Sequence, residues 1–185
     1  MSQALSERIK SLPASATLAM AAKARELKNE GKDIIGLSLG EPDFNTPDFI
    51  KEAAIEAINA DYNSYTPVDG YVELKEAICE KFKRDNGLDY APNQIVVSTG
   101  AKQSIANAVQ VLINPGDDVL LVAPYWVSYS AIVILAEGNP IEIRSDIETD
   151  FKITPAQLEA AITPKTKLVM LNSVSYTHLT LPTKA

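Results

Sequence analysis

This 185-residue chain has one cysteine, one histidine and one tryptophan, and each scarcity removes a class of explanation. A lone cysteine, Cys79, cannot form an intramolecular bridge, which points to a reducing compartment. It sits in the amphipathic run Leu74, Ala77, Ile78, Phe82, where a small buried hydrophobe is the ordinary role. There is no apolar run near the roughly 20 residues needed to cross a bilayer, and no charged-then-apolar leader. The expected location is the cytoplasm. Positive charge is also in short supply, with 17 basic against 24 acidic residues and a net charge of −7. That balance repels phosphate backbones and anionic lipid surfaces, so neither nucleic acid nor membrane is an expected partner. What is present, 46% hydrophobic and 22% charged side chains, is the composition of a soluble globular protein.

Periodicity sets the order of elements. An alanine-rich helical pattern from Thr17 to Glu30 stops at Gly31, and Ile34 to Leu39 reads as a short strand broken by Gly40-Glu41-Pro42-Asp43. Thr46 is the expected N-cap of a helix with Pro47 in its first position and an apolar face of Ile50, Ala53, Ala54, Ala57 and Ile58. A turn-rich loop from Asp61 to Gly70 leads to a second amphipathic helix that stops at Asn86-Gly87. Beyond Asn93 strands and helices alternate. Strands are expected at 95–98, 119–123, 141–144 and 167–171, and helices at 102–113, 125–137 and 155–162. Such alternation builds a parallel sheet covered by helices. The segment Val119-Leu120-Leu121-Val122-Ala123 is apolar without alternation, as a strand buried on both faces requires.

The last residues break this pattern. Val174 to Thr183 match, residue for residue, the in-frame translation of a transposon-derived sequencing adapter, so Val174 to Ala185 are read as a non-native tail after a truncated reading frame. His178 falls inside it.

Chemistry is concentrated in two places. In Val96-Val97-Ser98-Thr99-Gly100-Ala101-Lys102-Gln103-Ser104 a strand pattern passes through a glycine into a helix. The first N–H groups of a helix lack internal partners and carry the positive end of its dipole, so this turn can hold a phosphate; the alternative is a plain strand-to-helix connection. It is neither a P-loop nor GxGxxG. One strand later, Ala123-Pro124-Tyr125-Trp126 sets the indole just beyond the carboxyl end of a buried strand, where open parallel sheets bind ligands. Trp126 is then either a stacking platform or a packing residue under the next helix. Placed on one edge of one sheet, turn and indole describe a site for a flat phosphorylated ring.

Four segments carry a resemblance. Gly40-Glu41-Pro42-Asp43-Phe44, Tyr65-Thr66-Pro67 with Gly70, Ser98-Thr99-Gly100-Ala101-Lys102-Gln103 and Pro124-Tyr125-Trp126-Val127-Ser128-Tyr129 resemble, in order and spacing, class I aminotransferases of the aspartate aminotransferase family, bacterial and archaeal type. The likeness runs from about Leu5 to Ser173. It implies pyridoxal 5'-phosphate as cofactor, with Gly100, Ala101 and Lys102 at its phosphate and Trp126 on its pyridine ring. It also implies that Tyr65 reaches the phosphate of the neighbouring subunit in a homodimer, and that the backbone of Gly40 lies near the substrate α-carboxylate, where a side chain would obstruct. Lys102 is a further candidate for contact with an acidic substrate side chain. At these positions a solvated lysine, an exposed loop tyrosine and a strand-ending glycine are the plainer alternatives.

The family's catalytic residues have no counterpart here. Tyr176 stands where the family places the asparagine that bonds the cofactor ring, and Asn172 is not that residue. The aspartate at the pyridine nitrogen, the Schiff-base lysine and the arginine that grips the α-carboxylate belong beyond Ser173. No metal site is expected.

The implied fold is α/β, that of fold-type I pyridoxal-phosphate-dependent transferases, with a mixed, mainly parallel sheet and helices on both faces. Residues 1–45 would be an arm and part of a small domain, 46–173 the first half of the large domain, and 174–185 the tail. The implied activity is amino-group transfer between an amino acid, aspartate first, and a 2-oxo acid, 2-oxoglutarate. Aromatic, methionine or diaminopimelate specificity stays open. A nucleotide-binding α/β module would need an acidic ribose ligand about 20 residues after the turn, and Leu120 to Pro124 offers none. A non-catalytic regulator on this fold would need a DNA-binding domain ahead of it, for which the short N-terminus has no room.

Overall fold

The computed structural model describes residues 4–37 and 42–172. In chain order its helices and strands are α1 (Glu7–Lys10), α2 (Ala16–Asn29), α3 (Asp48–Asn59), α4 (Val72–Asn86), α5 (Ala101–Leu112), β1 (Asp118–Ala123), α6 (Ser128–Leu135), β2 (Asn139–Arg144), α7 (Pro155–Ala161) and β3 (Thr166–Met170). They fall into two compact units: one made from the described residues of Met1–Pro42 and Ile105–Ala185, the other from Asp43–Ser104.

The first unit is built on a parallel three-stranded sheet of order β2-β1-β3. As its apolar run requires, the central strand is buried on both faces: Val119, Leu120 and Leu121 are fully buried and Val122 nearly so. Val119 and Leu121 join Val109 of α5, Ile113, and Ile132 and Val133 of α6 in one core cluster. Between β1 and β3 the register slips after Asp118, which pairs with Thr166 while Val119 pairs with Leu168, leaving Lys167 as the extra residue. The turn Asn114-Pro115-Gly116-Asp117 leads into β1. Asp117 Oδ2 accepts from the backbone N–H of Asn114 at 2.8 Å, and the Gly116 N–H donates to the Glu137 carbonyl at 2.8 Å.

In the second unit α3 begins one residue later than the sequence suggests. Pro47 (φ −53°, ψ 144°) is itself the N-cap, and its carbonyl accepts from the N–H groups of Ile50 and Lys51. Gly87 ends α4 in the left-handed conformation (φ 66°), with its N–H on the Lys83 carbonyl.

Two expected strands, 34–39 and 95–98, are not seen as strands among the described residues. Residues 34–37 and 95–98 form no ladder among the described residues, although Ile95 is extended (φ −110°, ψ 132°). An apolar, extended segment becomes a strand only when a neighbouring chain takes up its N–H and carbonyl groups, and here the Val97 N–H goes instead to the Asp69 carbonyl at 3.0 Å. The Gly100 turn therefore does not close a strand of the β2-β1-β3 sheet, contrary to the single-sheet expectation. The interruption at Gly40 and the tail from Val174 lie outside the described residues.

Candidate functional site

The turn into α5 is held by reciprocal bonding. Gly100 takes φ +80°, a conformation that suits glycine, and its N–H donates to the Ser98 carbonyl at 2.8 Å. The Gln103 side chain reaches back to accept from the Thr99 N–H at 2.5 Å, while the Gln103 N–H donates to the Gly100 carbonyl at 3.1 Å. This leaves the first turn of α5 opening onto a depression of about 440 Å3, whose lining includes Ser98, Gly100, Ala101 and Ser104 against an apolar wall of Phe82 and Ile95. Apart from Gly100 and its two chain neighbours, no described heavy atom lies within 4 Å of where a Cβ on Gly100 would stand. An exposed helix terminus favours an anion by only about 0.3–1 kcal/mol, so hydroxyl groups and a cation must share the task. The segment supplies them in Ser98, Ser104 and the exposed Lys102. The donor set and the open space both fit a phosphate monoester.

Tyr65, in the same unit, is fully exposed on the loop before the Pro67–Gly70 turn, which is closed by the Gly70 N–H on the Pro67 carbonyl at 3.0 Å. Gly40 lies outside the described residues.

In the other unit Trp126 follows the carboxyl end of β1 across a cis Ala123–Pro124 peptide, and it is half-buried. Its indole meets the Tyr129 ring edge-on, with centroids 5.7 Å apart and planes at 87°. Tyr129 in turn stacks on Tyr125 (6.4 Å, 13°), and the Tyr125 hydroxyl points at Glu142 Oε2 from 3.4 Å. Burial, with the Glu142 charge second, raises the Tyr125 pKa above the ordinary phenol value and keeps it a donor. Edge-to-face and stacked ring pairs are worth about 0.5–1.5 kcal/mol beyond the area they bury, which biases the indole toward this orientation. Sequence reasoning passed over Tyr125 and Tyr129 as orienting residues. Their spacing from Trp126 by one and three positions was visible, but that they stack on each other was not. Asn172 is half-buried just past β3, on the carboxyl side of the same parallel sheet.

Comparison with known proteins decides the family. The sequence model of "Aminotransferase class I and II" matches residues 32–176. The chain belongs to the class I and II aminotransferases. This aminotransferase chain is 55% identical over 171 residues to an aspartate/prephenate aminotransferase of Cereibacter sphaeroides, covering 92% of the chain and 43% of that protein. It is 51% identical over 175 residues to the aspartate aminotransferase of a Bacillus species, covering 95% and 45%. Among solved structures, the aspartate aminotransferase of Thermus thermophilus with maleate superposes with a TM-score of 0.87 at 43% identity, over 91% of this chain and 44% of that one. That of Rhizobium meliloti gives 0.86 at 48%, over 91% and 42%. The chain thus spans less than half the length of the relatives it matches.

Proposed function

We propose that this chain is the cofactor-phosphate half of an enzyme that moves an amino group from L-aspartate to 2-oxoglutarate with pyridoxal 5'-phosphate. The observation that carries this reading is the Gly100 turn, a positive-φ glycine opening a helix onto hydroxyl-lined free space. At the turn that Gly100 opens, the backbone N–H of Ala101, with Lys102 and the Ser98 and Ser104 hydroxyls, would hold the phosphate. Trp126, oriented by its contact with Tyr129, would stack on the pyridine ring, and Gly40, having no side chain, would be the residue at the substrate α-carboxylate. Tyr65 serves the phosphate of the neighbouring subunit in a homodimer. Once bound, pyridoxal phosphate supplies the electron sink for breaking the Cα–H bond. Dicarboxylate substrates are supported by the solved relative carrying maleate, a four-carbon dicarboxylate. A relative named for both aspartate and prephenate supports prephenate as a second acceptor, since it too is a 2-oxo acid with a further carboxylate. We place residues 1–45 in an arm and small domain and 46–173 in the large domain of a cytoplasmic enzyme. The chain as it stands, without a lysine at the family's Schiff-base position, does not catalyse transfer.

The test compares this chain with a version carrying its natural continuation, by visible cofactor absorbance and by aspartate-to-2-oxoglutarate transfer. Absorbance and turnover are expected only in the extended protein. No transfer from aspartate by the extended protein would overturn the substrate reading, and turnover by the short chain would overturn the loss of chemistry.

A further inference from the structure

Lys75 stands where two effects oppose a cation. It is in the first turn of α4, near the positive end of the helix dipole, and its side chain is only 8% exposed. One partner compensates both effects: Asp69 Oδ2 lies 2.5 Å from Lys75 Nζ. Removing Asp69 leaves the buried ammonium without compensation, so the pair fixes Asp69 more firmly than its half-exposed position would suggest. Asp69 is also a backbone anchor. Its carbonyl accepts the Val97 N–H at 3.0 Å, and the next residue, Gly70 (φ +101°), sits so close to Val97 that a Cβ would come within 2.6 Å of Cγ2. From this junction the chain runs back through the Pro67–Gly70 turn to Tyr65, and from Val97 it runs on to the Gly100 turn.

We infer that the Lys75–Asp69 pair is a positioning device that locks the Tyr65 loop onto the segment entering the Gly100 turn, so that one rigid junction carries both phosphate contacts of a subunit. This rests on the proposed function. One contact, the turn, serves the subunit's own cofactor, and the other, Tyr65, serves the partner's. The junction links the two sites of a dimer, and loosening it weakens the grip on phosphate at both.

The experiment measures binding of pyridoxal phosphate, and separately of pyridoxal, to the cofactor-free extended protein. Lys75→Met and Asp69→Asn are each expected to weaken pyridoxal phosphate about tenfold, on the order of one hydrogen bond to the charged phosphate, while pyridoxal binding stays as in the parent. Lys75→Arg, which keeps the charge, recovers most of the loss, and the double variant is no worse than either single one. Should Lys75→Met fail to fold, Asp69→Asn decides, since that side chain is 44% exposed and still accepts a hydrogen bond. Equal weakening of both ligands, or none, would overturn the inference. Gly100→Ala separates the two levels. If it removes the preference for pyridoxal phosphate while the pair variants keep it, the pair is an ordinary ion pair. If the parent shows no such preference, the phosphate turn itself is wrong and the role of the pair falls with it.

Discussion

The Thr163 hydroxyl donates to Asp118 Oδ2 at 2.7 Å across 45 residues of sequence, fastening the approach to β3 onto the first residue of β1. Asn139, the first residue of β2, donates its side-chain amide to the other carboxylate oxygen at 3.2 Å, and the Asp118 N–H donates to the Lys165 carbonyl at 2.8 Å. One carboxylate thus joins the amino ends of all three strands, the side of the sheet away from Trp126.

This arrangement sets the sign of a pH effect. The Thr163 hydroxyl first, then the Asn139 amide, lowers the Asp118 pKa below its ordinary value, while burial opposes them. The stabilisation is therefore fully present above the unfolded carboxyl pKa, near pH 4, and is lost as pH falls through the lower folded value. In the extended protein, Asp118→Asn should lower the melting temperature at pH 7 and flatten the acid limb of a plot of stability against pH. Superimposable acid limbs for variant and parent would show that the carboxylate contributes nothing as a charge.

Gly70 answers to two separate constraints, its φ of +101° and the nearness of Val97. Gly70→Ala should cost about 1–3 kcal/mol in urea unfolding of the extended protein, the range for a strained backbone position. Adding Val97→Ala removes the steric part and leaves the dihedral part, so only some of the loss should return. Full recovery would mean that φ at this position carries no strain.

The core prediction concerns Leu121, fully buried at the centre of the sheet among Val109, Ile132 and Val133. Leu121→Ala should destabilise the extended protein by about 2–5 kcal/mol, through lost transfer energy and a cavity that neighbours on both sides cannot fill. Leu121→Met, close in volume, should cost under about 1.5 kcal/mol. Chemical denaturation that ranks the two equally would show that the core at this point is not tightly packed.

Much of the architecture is legible in local pattern because local physics governs it. The unbroken apolar run at 119–123 already implied a strand covered on both sides, and Gly87 implied a left-handed helix stop. The turn in the Ser98–Gln103 string is legible too, since the positive φ at its centre is a backbone requirement that glycine meets. The strands expected at 34–39 and 95–98 form no ladder among the described residues for a physical reason: extended, apolar sequence states a tendency, while a strand exists only with a bonded neighbour that local sequence does not name.

What the sequence by itself determined is the kind of chemistry on offer: net negative charge, a single indole beyond a buried strand, a glycine-opened helix and the family motifs that surround them. What only tertiary structure decided is how those parts are held. Lys75 sits in a helical pattern like other lysines, yet the fold buries it against Asp69; Tyr125 and Tyr129 flank Trp126 in sequence, yet they stack on each other and Tyr129 meets the indole edge-on; Asp118 adjoins an apolar run, yet it clasps Thr163. The reason is common to all three. Burial, ring geometry and hydrogen bonds between distant residues depend on which parts of the chain meet, and each is worth about a kcal/mol or more only after they have met.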